Sequence, residues 1–82
     1  MMANTVHLQY FAILREQRGA DRETLTTQAA TLRDLYETLA REHGFTLTTA
    51  QVRPAVNETV ADWDRAIADG DRIVFLPPVA GG

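Results

Sequence analysis

Leu32, Leu35, Tyr36, Leu39 and Ala40 fall at i, i+3, i+4, i+7 and i+8, so an apolar stripe runs down one face of a helix predicted from about Leu32 to His43. Thr31 stands in position to cap it, with Asp34 three residues later as an approximate capping box, and Gly44 ends it. Another element must cover a stripe of this kind, and most of the remaining chain reads as strands. The helix is therefore expected to lie across one face of a sheet in an α+β domain.

The strands show a different period. Val6, Leu8 and Tyr10 alternate with polar neighbours, which predicts a first strand with those three residues on one face. Phe11 to Arg18 reads as a short helix-like turn closed by Gly19. Arg22 to Thr26 is a second extended segment. Val52 to Asn57 reads as a strand in which Pro54 marks an edge or strand-start position, because proline cannot donate to a ladder. Thr59-Val60 is a short extended piece and Ala66-Ile67-Ala68 a turn segment. After the turn signal Asp69-Gly70-Asp71, the apolar run of Arg72 to Leu76 is the last strand. No repeat or linker divides the chain, so residues 1–82 are read as one domain with a flexible C-terminal tail from about 77 to 82.

Composition excludes several function classes. Eighty-two residues bury a modest core and leave no room for a cofactor-sized pocket. With no cysteine there is no disulfide, thiolate nucleophile or Cys-ligated metal, and a reducing cytoplasm fits. Met1-Met2-Ala3-Asn4-Thr5 lacks a basic segment followed by an apolar run, and nowhere do about eighteen apolar residues occur consecutively, so a cytoplasmic location without a membrane span is expected. The formal charge of −3 argues against nucleic acid as a partner. All eight basic side chains are arginines, which removes Schiff-base chemistry and self-conjugation through lysine. Asp62-Trp63-Asp64 and Asp69-Gly70-Asp71 lack the ligand order of a calcium loop and read as a solvated acidic face. His7 and His43 have no metal-spaced partners, and Trp63 reads as a satellite core residue. No self-contained active site, metal site or bound cofactor is expected.

What remains is the ending. Strand residues Phe75-Leu76 run into Pro77-Pro78, then into Val79-Ala80-Gly81-Gly82, with no charge and no side chain larger than valine after the prolines. Glycine lacks a Cβ, so a Gly-Gly end can thread a narrow channel closed to other residues. If Ile73 and Phe75 face the helix, Val74 and Leu76 must point to the opposite face, and Phe11, out of phase with Leu8 and Tyr10, can join them. Such an apolar cluster beside the tail reads as a docking surface. The alternatives are that the stretch from Val60 to Ile67 covers Val74 and Leu76, or that the strand is buried on both faces.

Tyr10-Phe11-Ala12-Ile13-Leu14-Arg15-Glu16 with Gly19, then Ala55-Val56-Asn57, then the run from Asp69 to the terminal Pro-Pro-Val-Ala-Gly-Gly resemble the MoaD-type sulfur carriers, the small subunits of molybdopterin synthase. The similarity covers nearly the whole chain. It implies a ubiquitin-like β-grasp, a mixed β-sheet packed on one main helix. It also implies a non-catalytic sulfur-donor role within a sulfurtransferase complex. An E1-like (MoeB-type) enzyme would use ATP to adenylate the carboxyl of Gly82, and a sulfur donor protein would convert it to a thiocarboxylate. Pro77, Pro78, Val79, Ala80 and Gly81 would enter a MoaE-type large subunit, where sulfur passes to the cyclic pyranopterin precursor. Phe11, Val74 and Leu76 would contact these partners. Two other classes remain open: a sulfur carrier for thiamine or another pathway, and a ubiquitin-like protein modifier or interaction domain.

Overall fold

The computed structural model describes residues 3–78. Its elements run β1 (Asn4–Tyr10), α1 (Ala12–Arg18), β2 (Arg22–Thr27), α2 (Leu32–His43), β3 (Arg53–Val56), β4 (Thr59–Val60) and β5 (Arg72–Leu76). The five strands form one mixed sheet in the order β2-β1-β5-β3-β4. β1 and β5 pair in parallel at its centre, and the other pairs are antiparallel.

Alternation along the strands decides what the sheet buries. Val6, Leu8 and Tyr10 of β1 and Ile73 and Phe75 of β5 point to the same side and are almost wholly buried against Leu32, Leu35, Tyr36 and Leu39 of α2. The caps hold the helix in place. The Thr31 hydroxyl accepts the Asp34 N–H at 3.2 Å, and Gly44 closes the last turn at φ 72°, a left-handed angle that costs glycine little. Gly19 ends α1 in the same way at φ 82°.

The core is aromatic at its middle. Phe75 meets Tyr36 edge-on at 5.1 Å, and the Trp63 indole stacks on Phe75 at 6.0 Å while donating to the Thr49 carbonyl at 2.9 Å. Trp63 is thus a satellite of the core, as the sequence suggests. The stretch from Ala61 to Ile67 follows it on the helix side. Arg33 N–H donates to the Trp63 carbonyl, Leu32 N–H to that of Arg65, and Ile67 N–H to that of Ala30. Ile67 is buried where only a turn was expected, with a bridge pairing Thr31 and Ala66 beside it.

Two sequence expectations need correction. β3 lies inside the sheet, between β5 and β4, despite Pro54. The ladder tolerates the proline because the Pro54 carbonyl receives the Ala61 N–H at 3.0 Å, so the missing donor faces the side of the two-residue β4, not β5. Asp71 is no part of a solvated acidic face. It is 4% exposed and its carboxylate accepts from the Ala68 N–H at 2.8 Å, Arg65 Nη1 at 2.9 Å and Asn57 Nδ2 at 3.2 Å. Burial by itself would push this carboxyl up, but the three donors outweigh it and hold it below the ordinary aspartate range. The cluster pins the start of β5 to the β3–β4 turn.

A second polar cluster closes the far edge. Arg18 grips both oxygens of Glu23 at 2.8 Å, and the Tyr10 hydroxyl donates to the same carboxylate at 2.7 Å. Arg18 is the main reason that Glu23 is held down at about 2, while burial and the neighbouring carboxylate push the Tyr10 phenol up and keep it a neutral donor. A lowered carboxylate pKa contributes stability that is complete above the unfolded value, near 4.5, and is lost as pH falls toward about 2. Glu23→Gln is therefore expected to cost about 1–2 kcal/mol at neutral pH, a charge-assisted pair with partial exposure. The gap between the parent and Glu23→Gln melting temperatures should narrow between pH 5 and pH 2, and a constant gap would refute the linkage.

Candidate functional site

The sheet face turned away from α2 is assembled from all five strands by register. Val60 pairs with Ala55, Ala55 with Val74, Val74 with Gln9, and Gln9 with Arg22. One step further along β5, Leu76 pairs with Arg53. Because paired residues share a face, Val60, Ala55, Val74 and Leu76 form one apolar strip. The strip meets the tail at its upper end, where Leu76 is followed by Pro77 and Pro78.

Phe11 flanks this strip. Tyr10 pairs with Phe75, so the next residue of the chain comes abreast of Leu76, and its extended backbone (φ −130°, ψ 154°) continues the alternation that buries Tyr10. The ring is 39% exposed. Immediately after it Ala12 takes φ 51°, a left-handed turn that swings the chain from strand to helix without a loop. Sequence reasoning gives no warning of that corner, since alanine is not a residue that favours it.

Val74 and Leu76 are half-buried within the sheet surface, and the stretch from Ala61 to Ile67 runs on the other side of the sheet. Val74 and Leu76 are thus partly accessible among the described residues, while Ala55, at 8% exposure, is buried within the strip. Val60, at 56% exposure, was read only as a short extended piece, and Ala55 carried no site reading. Their membership depends on the two-residue turn at Asn57 and Glu58, where φ is 51° and 75°. Both angles are positive, as a type I′ hairpin requires, and the Asn57 in this turn is the one signal that could have located it.

The Asn57 side chain also secures β5. Its Oδ1 accepts the Arg72 N–H at 3.0 Å, while the Asn57 backbone N–H donates to the Arg72 carbonyl at 2.8 Å. The strand that leads to the tail is therefore fixed at its start by Asn57 and Asp71 and along its length by β1 and β3. Val79, Ala80, Gly81 and Gly82 lie outside the described residues.

No group of three His, Asp or Glu side chains among the described residues is placed to hold a metal ion, and no helix there is long and apolar enough to cross a membrane. His7 sits on the open face beside Thr24 at 3.0 Å, and His43 ends α2 next to Phe45. The candidate site is a platform of apolar side chains at the end of β5, next to Pro77 and Pro78.

The sheet order with one helix across it is the ubiquitin-like β-grasp. Residues 8–82 match the ThiS family. The molybdopterin synthase sulfur carrier subunit of Escherichia coli is 30% identical over 80 residues, which cover 94% of this chain and 99% of that protein. SAMP1 from Haloferax volcanii superposes with a TM-score of 0.78 at 25% identity, covering 96% of this chain and 100% of the other. The structure of a complex of subunits 1 and 2 of molybdopterin-converting factor from Helicobacter pylori contains a chain 28% identical, with a TM-score of 0.63, covering 95% of this chain and 99% of its counterpart. A strand-borne apolar platform, a Pro-Pro-Val-Ala-Gly-Gly ending and these full-length likenesses agree, and the chain belongs to the ThiS family.

Proposed function

We propose that this protein is the sulfur-carrying small subunit of a molybdopterin synthase. Its Gly82 carboxyl is adenylated, converted to a thiocarboxylate, and delivers sulfur to the cyclic pyranopterin precursor. The single observation that carries the reading is the near full-length likeness to a molybdopterin synthase sulfur carrier subunit, beside a family match that runs through the glycine pair.

Chemistry explains each partner. An α-carboxyl has a pKa of about 3.3–3.7, so at neutral pH it is an anion and a poor electrophile. An E1-like enzyme overcomes this by letting the carboxylate oxygen attack the α-phosphorus of ATP, releasing pyrophosphate and leaving an acyl-adenylate. A donor protein's persulfide then attacks the carbonyl carbon, AMP departs, and a second thiol reduces the acyl disulfide so formed, which frees the thiocarboxylate and leaves a disulfide on the donor side. The chain itself contributes position: Pro77 and Pro78 stiffen the base of the tail, and the strip of Phe11, Val74 and Leu76 seats the domain so that the end reaches the partner's reacting groups. Acid, base and oxyanion stabilisation come from the partners. The complex known for the Helicobacter pylori relative supports a large subunit as one of them.

The test is an incubation with an E1-like adenylating enzyme, ATP and a sulfur source, followed by intact mass measurement and then by addition of the large subunit and precursor. The expected product gains the mass difference of one sulfur replacing one oxygen and loses it again on transfer. The likeness to SAMP1, a small archaeal modifier protein, favours a second reading in which the same activated carboxyl is joined to an amine of another protein. That reading predicts covalent adducts with other chains and no sulfur transfer to a pterin.

A further inference from the structure

The acidic chain places no acid among the strand residues of the open face. Strand residues that point away from α2 are Thr5, His7 and Gln9, then Arg22, Thr24 and Thr26, then Arg53, Ala55 and Val60, then Arg72, Val74 and Leu76. None carries a carboxylate, although the whole chain has eleven. Glu23, the one acidic strand residue, faces the helix side in the grip of Arg18. Of the exposed acids, Asp34, Glu37 and Glu42 lie on α2, behind the sheet, Asp69 is turned onto the Thr5 N–H at 2.7 Å, and Glu16, Asp21, Glu58, Asp62 and Asp64 belong to α1 and the connecting segments.

Three arginines surround the apolar strip. Arg53 is paired with Leu76 at the tail base, Arg72 is two residues before Val74 on β5, and Arg22 closes the row that runs through Val74 and Gln9. Among the described residues, the guanidinium ion pairs are those of Arg18, Arg33 and Arg65, and none involves these three. Arg22 and Arg72, with His7, Gln9 and Val74 between them, line a groove of about 270 Å³. A protein of net charge −3 has thus set three unspent guanidinium groups around an uncharged centre on one face.

We infer that Arg22, Arg53 and Arg72 form a carboxylate-gripping rim, and that the occupant of this face is a partner protein with an apolar centre ringed by Asp and Glu. The inference rests on the docking role proposed above and adds the charge of the partner surface. Its physical content is division of labour. Val60, Val74, Leu76 and Phe11 supply area removed from water. The arginines supply long-range attraction and, on contact, bidentate pairing that fixes the rotation of the domain about the tail. Orientation matters here because the chain's end must arrive at one reacting centre. The long-range attraction acts over a screening length of about 10 Å at 0.1 M salt.

Association and dissociation rates with the large synthase subunit, measured by stopped flow from low to high salt, test this. Arg22→Glu, Arg53→Glu and Arg72→Glu are each compared with Arg41→Glu on α2, which makes the same change in net charge. Matching Arg→Gln variants and melting curves guard against loss of fold. Each rim reversal should slow association roughly tenfold, and the triple reversal on the order of 100-fold, at low salt. The loss should shrink at high salt, and replacing partner carboxylates by arginine should restore the triple variant. Arg41→Glu should act weakly. If Leu76→Glu loses binding while the rim variants track Arg41→Glu at every salt, the docking surface stands and the rim is overturned. If the parent fails to bind, or Leu76→Glu binds as well as the parent, the docking reading itself falls and the rim with it. Salt-sensitive capture of a DNA duplex through the same arginines, with partner association unaffected, would reassign them to phosphate.

Discussion

A chain lacking Gly82, or extended by one residue beyond it, is expected to form no thiocarboxylate while keeping the parent's melting temperature. The argument has two independent parts. On the function proposed above, the carboxyl of the last glycine is the group to be activated, and its loss removes the reacting atom itself. The core, meanwhile, ends at Phe75, which is wholly buried, so removing or adding a residue beyond the prolines should alter stability by no more than about 0.5 kcal/mol. Intact mass after incubation with the adenylating enzyme, ATP and a sulfur source reads the first part, and a thermal melt reads the second. Sulfur transfer by the truncated chain at the parent's level would end the proposal that Gly82 reacts.

Leu76→Glu should weaken binding to both the adenylating enzyme and the large subunit by tenfold to more than a hundredfold, with little change in melting temperature. Fully burying a leucine is worth about 1.5–3 kcal/mol, and each 1.4 kcal/mol is a factor of ten. A central anchor also loses more than its area when a charge replaces it. The fold should tolerate the change because Leu76 is half-buried at the end of β5 and lies opposite Arg53, so the new carboxylate gains a cross-strand partner of opposite charge. Since both partners must receive the same tail, the two losses are expected to move together, and the two partners should compete for the free chain. Unfolding of the isolated Leu76→Glu domain, seen by melting before any binding is attempted, would show that the residue serves the core instead.

Much of this protein is written in short-range pattern. The stripe from Leu32 to Ala40, the Thr31 cap, the stops at Gly19 and Gly44, and the alternation in β1 and β5 are all local, and each element follows within a residue or two of its expected bounds. Alternation also assigns Val74 and Leu76 to the face opposite Phe75, because side-chain direction in a strand depends on position parity alone. The resemblance to sulfur carriers rests on the chain's own residues too, above all its ending.

Which strands lie beside one another is not a local property. Tertiary structure alone brings Val60 and Ala55 into line with Val74, because that row needs the register of β3 against both β4 and β5. It sets Arg22 and Arg72, fifty residues apart in the numbering, on one groove through the β1 strand between them. It buries Asp71 beneath donors from Asn57, Arg65 and Ala68, turning an acidic turn residue into a structural bond, and it lets Pro54 sit inside the sheet by aiming its missing donor at a two-residue neighbour. The sequence by itself determined the elements and their buried faces, since these depend on backbone sterics and periodicity over a few residues. The composition of the docking face and its ring of arginines was decided by strand order and register, which arise only when distant segments exchange hydrogen bonds and close a common core.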